Sequence, residues 1–123
     1  MQYKHINKLT IENNDFRREL FTNSHSQVVL MSIKPGEDIG KEVHQVDQIL
    51  VFVQGAARAI VGGEELEVGA GDMVDVPAGT EHNFINTGSD DVKLYTVYAP
   101  AEHNPGTVHH TKQDAENDPY EHH

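Results

Sequence analysis

From Phe16 to Tyr98 the chain is cut into short runs rich in β-branched and aromatic residues, with Gly, Pro, Asn or Asp breaking in at intervals of roughly ten residues. A chain punctuated this often has no room for long helices, and evenly spaced short strands predict an all-β sandwich or barrel. The runs are Ser26–Ile33, Ile49–Val53, Ala57–Val61, Glu65–Val68, Met73–Val76, His82–Ile85 and Val92–Tyr98. Tight reversals are expected at Lys34-Pro35-Gly36, Gln54-Gly55, Gly62-Gly63, Gly69-Ala70-Gly71-Asp72, Pro77-Ala78-Gly79 and Asn86-Thr87-Gly88. In these, Gly supplies positive φ, and Pro or Asn favours the turn.

The flanks read differently. The first fifteen residues could add an outer strand, and after Pro100 the apolar content drops, so that 101–123 reads as a strap across the barrel or a tail. The 123 residues then form one domain: an arm over 1–15, a barrel core over about 26–100 and the strap over 101–123. One short helix is expected near Thr111 to Asn117, with Thr111 as its cap and Asp114 and Glu116 in the first turns. Ser26–Ile33 and Ile49–Val53 are apolar at both parities, so both faces need cover. The N-terminal arm or a second subunit would supply it, and a homodimer is expected.

Composition narrows the function. Nine Lys and Arg against twenty Asp and Glu give a formal charge of -11, which repels a phosphate backbone, so nucleic acid is not an expected partner. Without cysteine there are no thiolate nucleophiles and no sulfur ligands, and any metal site must be built from imidazole and oxygen. Nowhere do 18 apolar residues run together, and no apolar segment follows the N-terminus. A soluble cytoplasmic protein with no membrane partner is the expectation.

Glu42 and His44 are two apart, so on an extended chain they point to the same face. Gln48 opens the next strand after three residues, and His82 follows thirty-four residues later at the start of another strand, just past the Pro77-Ala78-Gly79 turn. If the strands are neighbours, two imidazoles, one carboxylate and one carboxamide converge and leave positions of an octahedral ion open. Taken alone, His44 would more often be an exposed or core-edge histidine.

A stronger pointer is the pair of motifs these residues sit in. Gly71, Pro77, Gly79, His82 and Asn86 occupy every fixed position of the second motif of the cupin superfamily, which the chain resembles over roughly Val28 to Tyr98. Gly36, His44 and Gly55 match the first motif, in which Glu42 stands where a His is usual and Gln48 where an acid is usual. About fifteen residues, Ala56 to Ala70, separate the two, as in small single-domain cupins of the mannose-6-phosphate isomerase-like kind. The resemblance implies a double-stranded β-helix, a jelly-roll barrel, with Glu42, His44, Gln48 and His82 holding one divalent ion such as Zn, Mn, Fe or Ni. Exchanging the acid and a neutral ligand keeps one negative charge in the set and makes it slightly harder. The alternative is a cupin barrel whose pocket no longer takes metal.

By strand parity Leu50 and Phe52 follow Gln48 inward, and Phe84 and Asn86 follow His82, so these four are expected to line the pocket or, for the rings, to serve as core. Asn86 also suits the capping of turn amides. Asp47 is the nearest alternative acid, as a direct ligand or as a partner for an imidazole N–H. One of Tyr95 and Tyr98 should face inward. Among the strap histidines His103, His109 and His110, one could fold across the pocket mouth; His122 and His123 are left out of the site. Lys41 is the one base close to the ligands in sequence and faces away from Glu42 by parity, leaving Arg58 or Lys93 to reach in from other strands. Two functions fit: a metal-dependent enzyme on a small oxygenated metabolite, of isomerase, lyase or dioxygenase kind, or a non-catalytic barrel that binds or senses a small molecule or metal.

Overall fold

The computed structural model describes residues 2–119. The seven runs read from the sequence become strands, and two more that were not read, β1 and β9, bring the described residues to nine: β1 Arg17–Thr22, β2 Gln27–Ile33, β3 Asp47–Gln54, β4 Ala56–Val61, β5 Glu64–Gly69, β6 Met73–Val76, β7 His82–Asn86, β8 Val92–Ala99 and β9 Val108–His109. They form a six-stranded sheet in the order β6-β3-β8-β2-β1-β9 and a three-stranded sheet in the order β5-β4-β7. Every pairing is antiparallel. Together they make the jelly-roll, the double-stranded β-helix expected of the sequence.

The core lies between the sheets because each contributes one face. Leu50 and Phe52 project from β3 of the large sheet, Ala57 and Ala59 from β4 and Phe84 from β7 of the small one, and all are buried. Phe52 and Phe84 meet across the interior with ring centroids 5.7 Å apart, tilted by 48°. That separation is within the favourable range for aromatic pairs. The outward positions of β4 and β5 carry Arg58, Glu65 and Glu67, as the alternation requires.

The outer strand expected of the first fifteen residues is instead a helix, α1, Ile6–Glu12. Ile6, Leu9, Thr10 and Asn13 fall on one side at helical spacing and are its less exposed residues. The helix was hard to read because it is short and no side chain caps its N-terminus. It packs against β8 and β3, so the arm provides some of the cover that the two-sided apolar strands need. Lys93, buried in β8, donates to Asn13 O and Asn14 Oδ1 and so fastens the end of α1. This removes Lys93 from the pocket, as an exposed pairing with Glu67 removes Arg58.

In the described part of 101–123 the backbone lies along the barrel. β9 pairs with β1 at the sheet edge, and α2, Lys112–Asn117, begins at Thr111, whose Oγ1 accepts from Asp114 N at 3.1 Å. Gln27, fully buried on β2, clamps the strap to the barrel. Its Nε2 donates to His103 O at 2.7 Å, and its Oε1 accepts from the amides of Glu102 and His103 at 3.2 and 3.0 Å. His122 and His123 lie outside the described residues.

Gly55 turns β3 into β4 with φ +91°, and a Cβ built there would lie 2.9 Å from Asp91 O and 3.0 Å from Val92 Cα. Gly79 has a similar φ of +83° with nothing within 4 Å of such a Cβ. Gly79→Ala should therefore lose only the left-handed backbone preference, about 1–2 kcal/mol, whereas Gly55→Ala adds a backbone collision and should lose about 3 kcal/mol or more. Urea unfolding of the two variants at constant m-value checks the order; equal losses would show that φ alone dominates at Gly55.

Candidate metal centre

The long connection between β2 and β3 has little strand structure of its own, yet its backbone is laid along β7. Gly36 N donates to Asn86 O (3.3 Å), Asn86 N to Glu37 O (2.9 Å), Ile39 N to Phe84 O (3.0 Å), and Glu42 and His82 exchange both bonds at 2.9 Å. Gly79 N then donates to His44 O at 2.7 Å. Asn86 secures the far end: its Nδ2 donates to Ile33 O and Asp90 O, and its Oδ1 accepts from Gly88 N. Two stretches separated by about a third of the chain thus become neighbours, and the side chains of Glu42, His44 and His82 meet.

One potential ligand atom from each of Glu42, His44 and His82 lies within 4.8 Å of the other two. His44 and His82 are buried, and Glu42 is partly exposed. His82 Nδ1 lies 2.9 Å from Thr80 O. A carbonyl only accepts, so Nδ1 carries the proton and Nε2 keeps its lone pair for a metal. Burial is the main force pulling the His82 pKa below its ordinary value, and neighbouring His44 acts in the same direction against the Thr80 carbonyl and Glu42. Both favour the neutral ring, the form a metal needs. His44 stands between two carboxylates, Nε2 at 3.5 Å from Glu42 Oε2 and Nδ1 at 3.3 Å from Glu102 Oε2, the latter within ion-pair reach but not aligned as a hydrogen bond.

Gln48 is buried in β3, and its amide orientation is fixed by its surroundings. Thr96 Oγ1 donates its one proton to Ile49 O at 2.9 Å, so toward Gln48 it can only accept. Gln48 Nε2 gives it a hydrogen at 3.1 Å and gives another to Tyr98 OH at 3.2 Å. Both amide hydrogens are used, and Gln48 Oε1 is left buried with no hydrogen-bond partner among the described residues. Tyr98 also meets the His44 ring edge-on, with centroids 5.8 Å apart, so Gln48 and the histidines share one interior. A buried carbonyl-type oxygen with an open lone pair, two imidazoles and a carboxylate form a donor set that suits a divalent transition ion.

The surroundings differ in part from the sequence reading. Leu50, Phe52 and Phe84 do face inward, but they pack in the apolar core, and Phe84 lies beneath the ligands with its ring 6.1 Å from His82. Asn86 is occupied with turn amides, and none of these four residues borders the cavity at the site. That cavity, about 210 Å³, is walled by Phe16, Arg17, Ile39, Glu42, His103 and Lys112 among others. Asp47 points elsewhere and accepts from Ala78 N at 2.9 Å. Tyr98 is the inward tyrosine. His103 is the strap histidine that reaches the site, 3.4 Å from Tyr98 OH, whereas His109 pairs with Asp118 and His110 with Asp15. Glu102, Arg17 and Lys112 were not singled out in the sequence, because each comes from an element outside the two motifs. Lys112 is held by Asp38, which also accepts from Asn83 Nδ2 at 2.9 Å; the Asn83 and Lys112 bonds together hold the Asp38 carboxyl below its usual range.

Comparison with known proteins places this architecture. The family description "Cupin domain" matches residues 29–98. YrkC of Bacillus subtilis is 48% identical over 117 residues, which is 89% of this chain and 63% of that protein, so the chain spans less than two thirds of that relative. The crystal structure of BH2720 from Bacillus halodurans superposes with a TM-score of 0.93 at 42% identity, over 95% of this chain and 94% of the other. An RmlC-like cupin with a double-stranded β-helix from Methanocaldococcus jannaschii shares the fold alone, with a TM-score of 0.66 at 19% identity over 80% and 87% of the two chains. Since the matched span covers more than half of the chain, runs from β2 to β8 and contains Glu42, His44, Gln48 and His82, this chain belongs to the cupin domain family.

Proposed function

We propose that this chain binds one divalent transition metal through Glu42, His44, Gln48 and His82 and uses it to act on a small oxygenated metabolite. The observation that carries the reading is the buried Gln48 oxygen, left open while both hydrogens of its amide are committed to Thr96 and Tyr98. A buried polar atom without a partner is unfavourable by about 1–3 kcal/mol, and coordination to an ion between it and the histidines would remove that penalty. His82 offers a neutral ring whose proton is pinned on Thr80, Glu42 brings the negative charge, and Glu102 is placed to orient His44 from behind. Such an ion would supply Lewis acidity toward a carbonyl or hydroxyl oxygen. The ligand would sit in the cavity beside Glu42, where His103 lines the wall and stands 3.4 Å from Tyr98 OH, a pair able to pass a proton.

Elemental analysis of purified protein should find about one equivalent of transition metal, lost in His44→Ala/His82→Ala. Gln48→Leu, which closes the open oxygen, should weaken metal affinity by roughly 10–100-fold, and Glu102→Gln by a similar factor through His44. Wild-type protein that takes up none of Zn, Mn, Fe or Ni would refute the proposal. If turnover of a substrate is found, it should vanish on chelation and return with the metal; stoichiometric binding without consumption would mark a non-catalytic barrel instead.

The depressed pKa of His82 gives a pH dependence of known sign. The unfolded chain binds a proton near pH 6.5, whereas the folded ring resists it, so acidification favours unfolding. In metal-free protein the His82 contribution to stability should be complete above about pH 6.5 and be lost as pH falls through the depressed folded value. Metal uptake should fall over the same window, since proton and metal compete for Nε2. Urea midpoints across this range, for wild type beside His82→Ala, test the sign; identical slopes would show that His82 does not titrate differently on folding.

A further inference from the structure

Arg17 opens β1 and is buried to 6% exposure, yet its guanidinium makes no ion pair with any described carboxylate, and its Nε–H has no acceptor among the described residues. One terminal nitrogen, Nη1, lies 3.3 Å from His109 Nδ1, and Cζ sits 5.3 Å from the centroid of the adjacent Phe16 ring. A ring nitrogen that accepts from a guanidinium carries no proton, so the single ring proton is on Nε2, which lies 2.8 Å from Asp118 Oδ2. Asp118 thus reaches Arg17 only through an imidazole. A guanidinium cannot shed its charge, and burying it without a counter-ion is strongly unfavourable.

Arg17 also forms part of the wall of the 210 Å³ cavity that Glu42 borders. The other two cations on that wall are already matched, Lys112 by Asp38 and Lys41 by Glu81 at 3.9 Å. Of the three cations on that wall, Arg17 alone has no described carboxylate within ion-pair distance, although Glu42 and Glu116 border the same cavity, and its planar fork suits an oxyanion. We propose that the ligand of this cavity is a small carboxylate, held at its anionic end by Arg17 while an oxygen elsewhere in the same molecule reaches the Glu42, His44, Gln48 and His82 centre. The second half rests on the metal reading above; the first half stands on Arg17 alone. A single unmatched charge calls for a monoanion rather than a phosphate dianion. The cavity volume, below the roughly 300–1,000 Å³ of drug-sized pockets, calls for a molecule of few atoms. Hydroxy and keto acids carry both required groups.

Isothermal titration of metal-loaded protein with lactate and pyruvate, beside neutral lactamide and inorganic phosphate, tests the assignment. Lactate or pyruvate should bind, lactamide and phosphate should bind at least tenfold more weakly, and Arg17→Gln should weaken the carboxylate at least tenfold with metal content unchanged. Arg17→Lys, which keeps the charge and loses the fork, should fall between, and it decides the matter if circular dichroism shows that Arg17→Gln does not fold. Repeating the titration on His44→Ala/His82→Ala separates the two readings: a residual carboxylate affinity that still depends on Arg17 supports the anion seat whether or not the wild type takes metal. Carboxylate binding unaffected by either Arg17 substitution, equal binding of lactamide, preference for phosphate, or no binding of either acid at tens of millimolar would each overturn it.

Discussion

The pairing of the β2–β3 connection with β7 is the constraint on which the site depends. Residues that exchange both backbone bonds in an antiparallel pair stand directly opposite, with side chains on the same face. Glu42 and His82 do so at 2.9 Å in both directions, which places a carboxylate beside an imidazole without help from any side-chain contact. His44, two residues further, returns to that face by the period of an extended chain. The ladder is anchored at both ends, by Asn86 through Ile33, Asp90 and Gly88 and by the Gly79 amide on His44 O. The turn residues of the second motif therefore act on the ligands of the first.

A second level of order lies in the direction of protons. Thr96 spends its hydroxyl hydrogen on Ile49 O, Gln48 spends its amide hydrogens on Thr96 and Tyr98, and His82 spends its ring hydrogen on Thr80 O. The Thr96 choice fixes that of Gln48, and the Thr80 carbonyl fixes that of His82, which leaves a buried amide oxygen and an imidazole nitrogen with open lone pairs. Had Thr96 been an apolar residue of the same shape, the Gln48 amide could turn either way and its oxygen would not be fixed. Buried polar networks of this kind contribute more to specifying one arrangement than to net stability.

The barrel and the cluster of Glu42, His44 and His82 were legible in the sequence because they depend on local rules. Gly and Pro mark reversals wherever they fall, parity assigns faces, and His82 sits at a fixed offset from Pro77 and Gly79. The residues that were not legible act through long-range packing. Arg17 lies in a strand whose run, Arg17 to Thr22, shows no clean alternation, and its burial pattern is correspondingly uneven. Glu102 reaches His44 only because Gln27, a polar residue in an otherwise apolar strand, holds the strap backbone at Glu102 and His103. Leu50, Phe52 and Phe84 face inward as parity requires and pack in the core, the alternative the sequence left open for the two rings, since parity fixes direction and says nothing about where a cavity opens.

The charge distribution separates capture from retention. The chain carries -11 overall, yet Arg17, Lys41 and Lys112 stand on one cavity wall against Glu42 and Glu116. Ions screen exposed charges beyond about 8 Å at physiological salt, so an anion inside the cavity responds to Arg17 and the nearby ligands rather than to the acidic outer face of β4 and β5. An anion still in solution meets that outer field first, and long-range fields act mainly on the rate of encounter. The acidic surface therefore slows the arrival of small anions in general, while the buried guanidinium holds those that enter, and selectivity falls to the geometry of the cavity rather than to the charge of the protein.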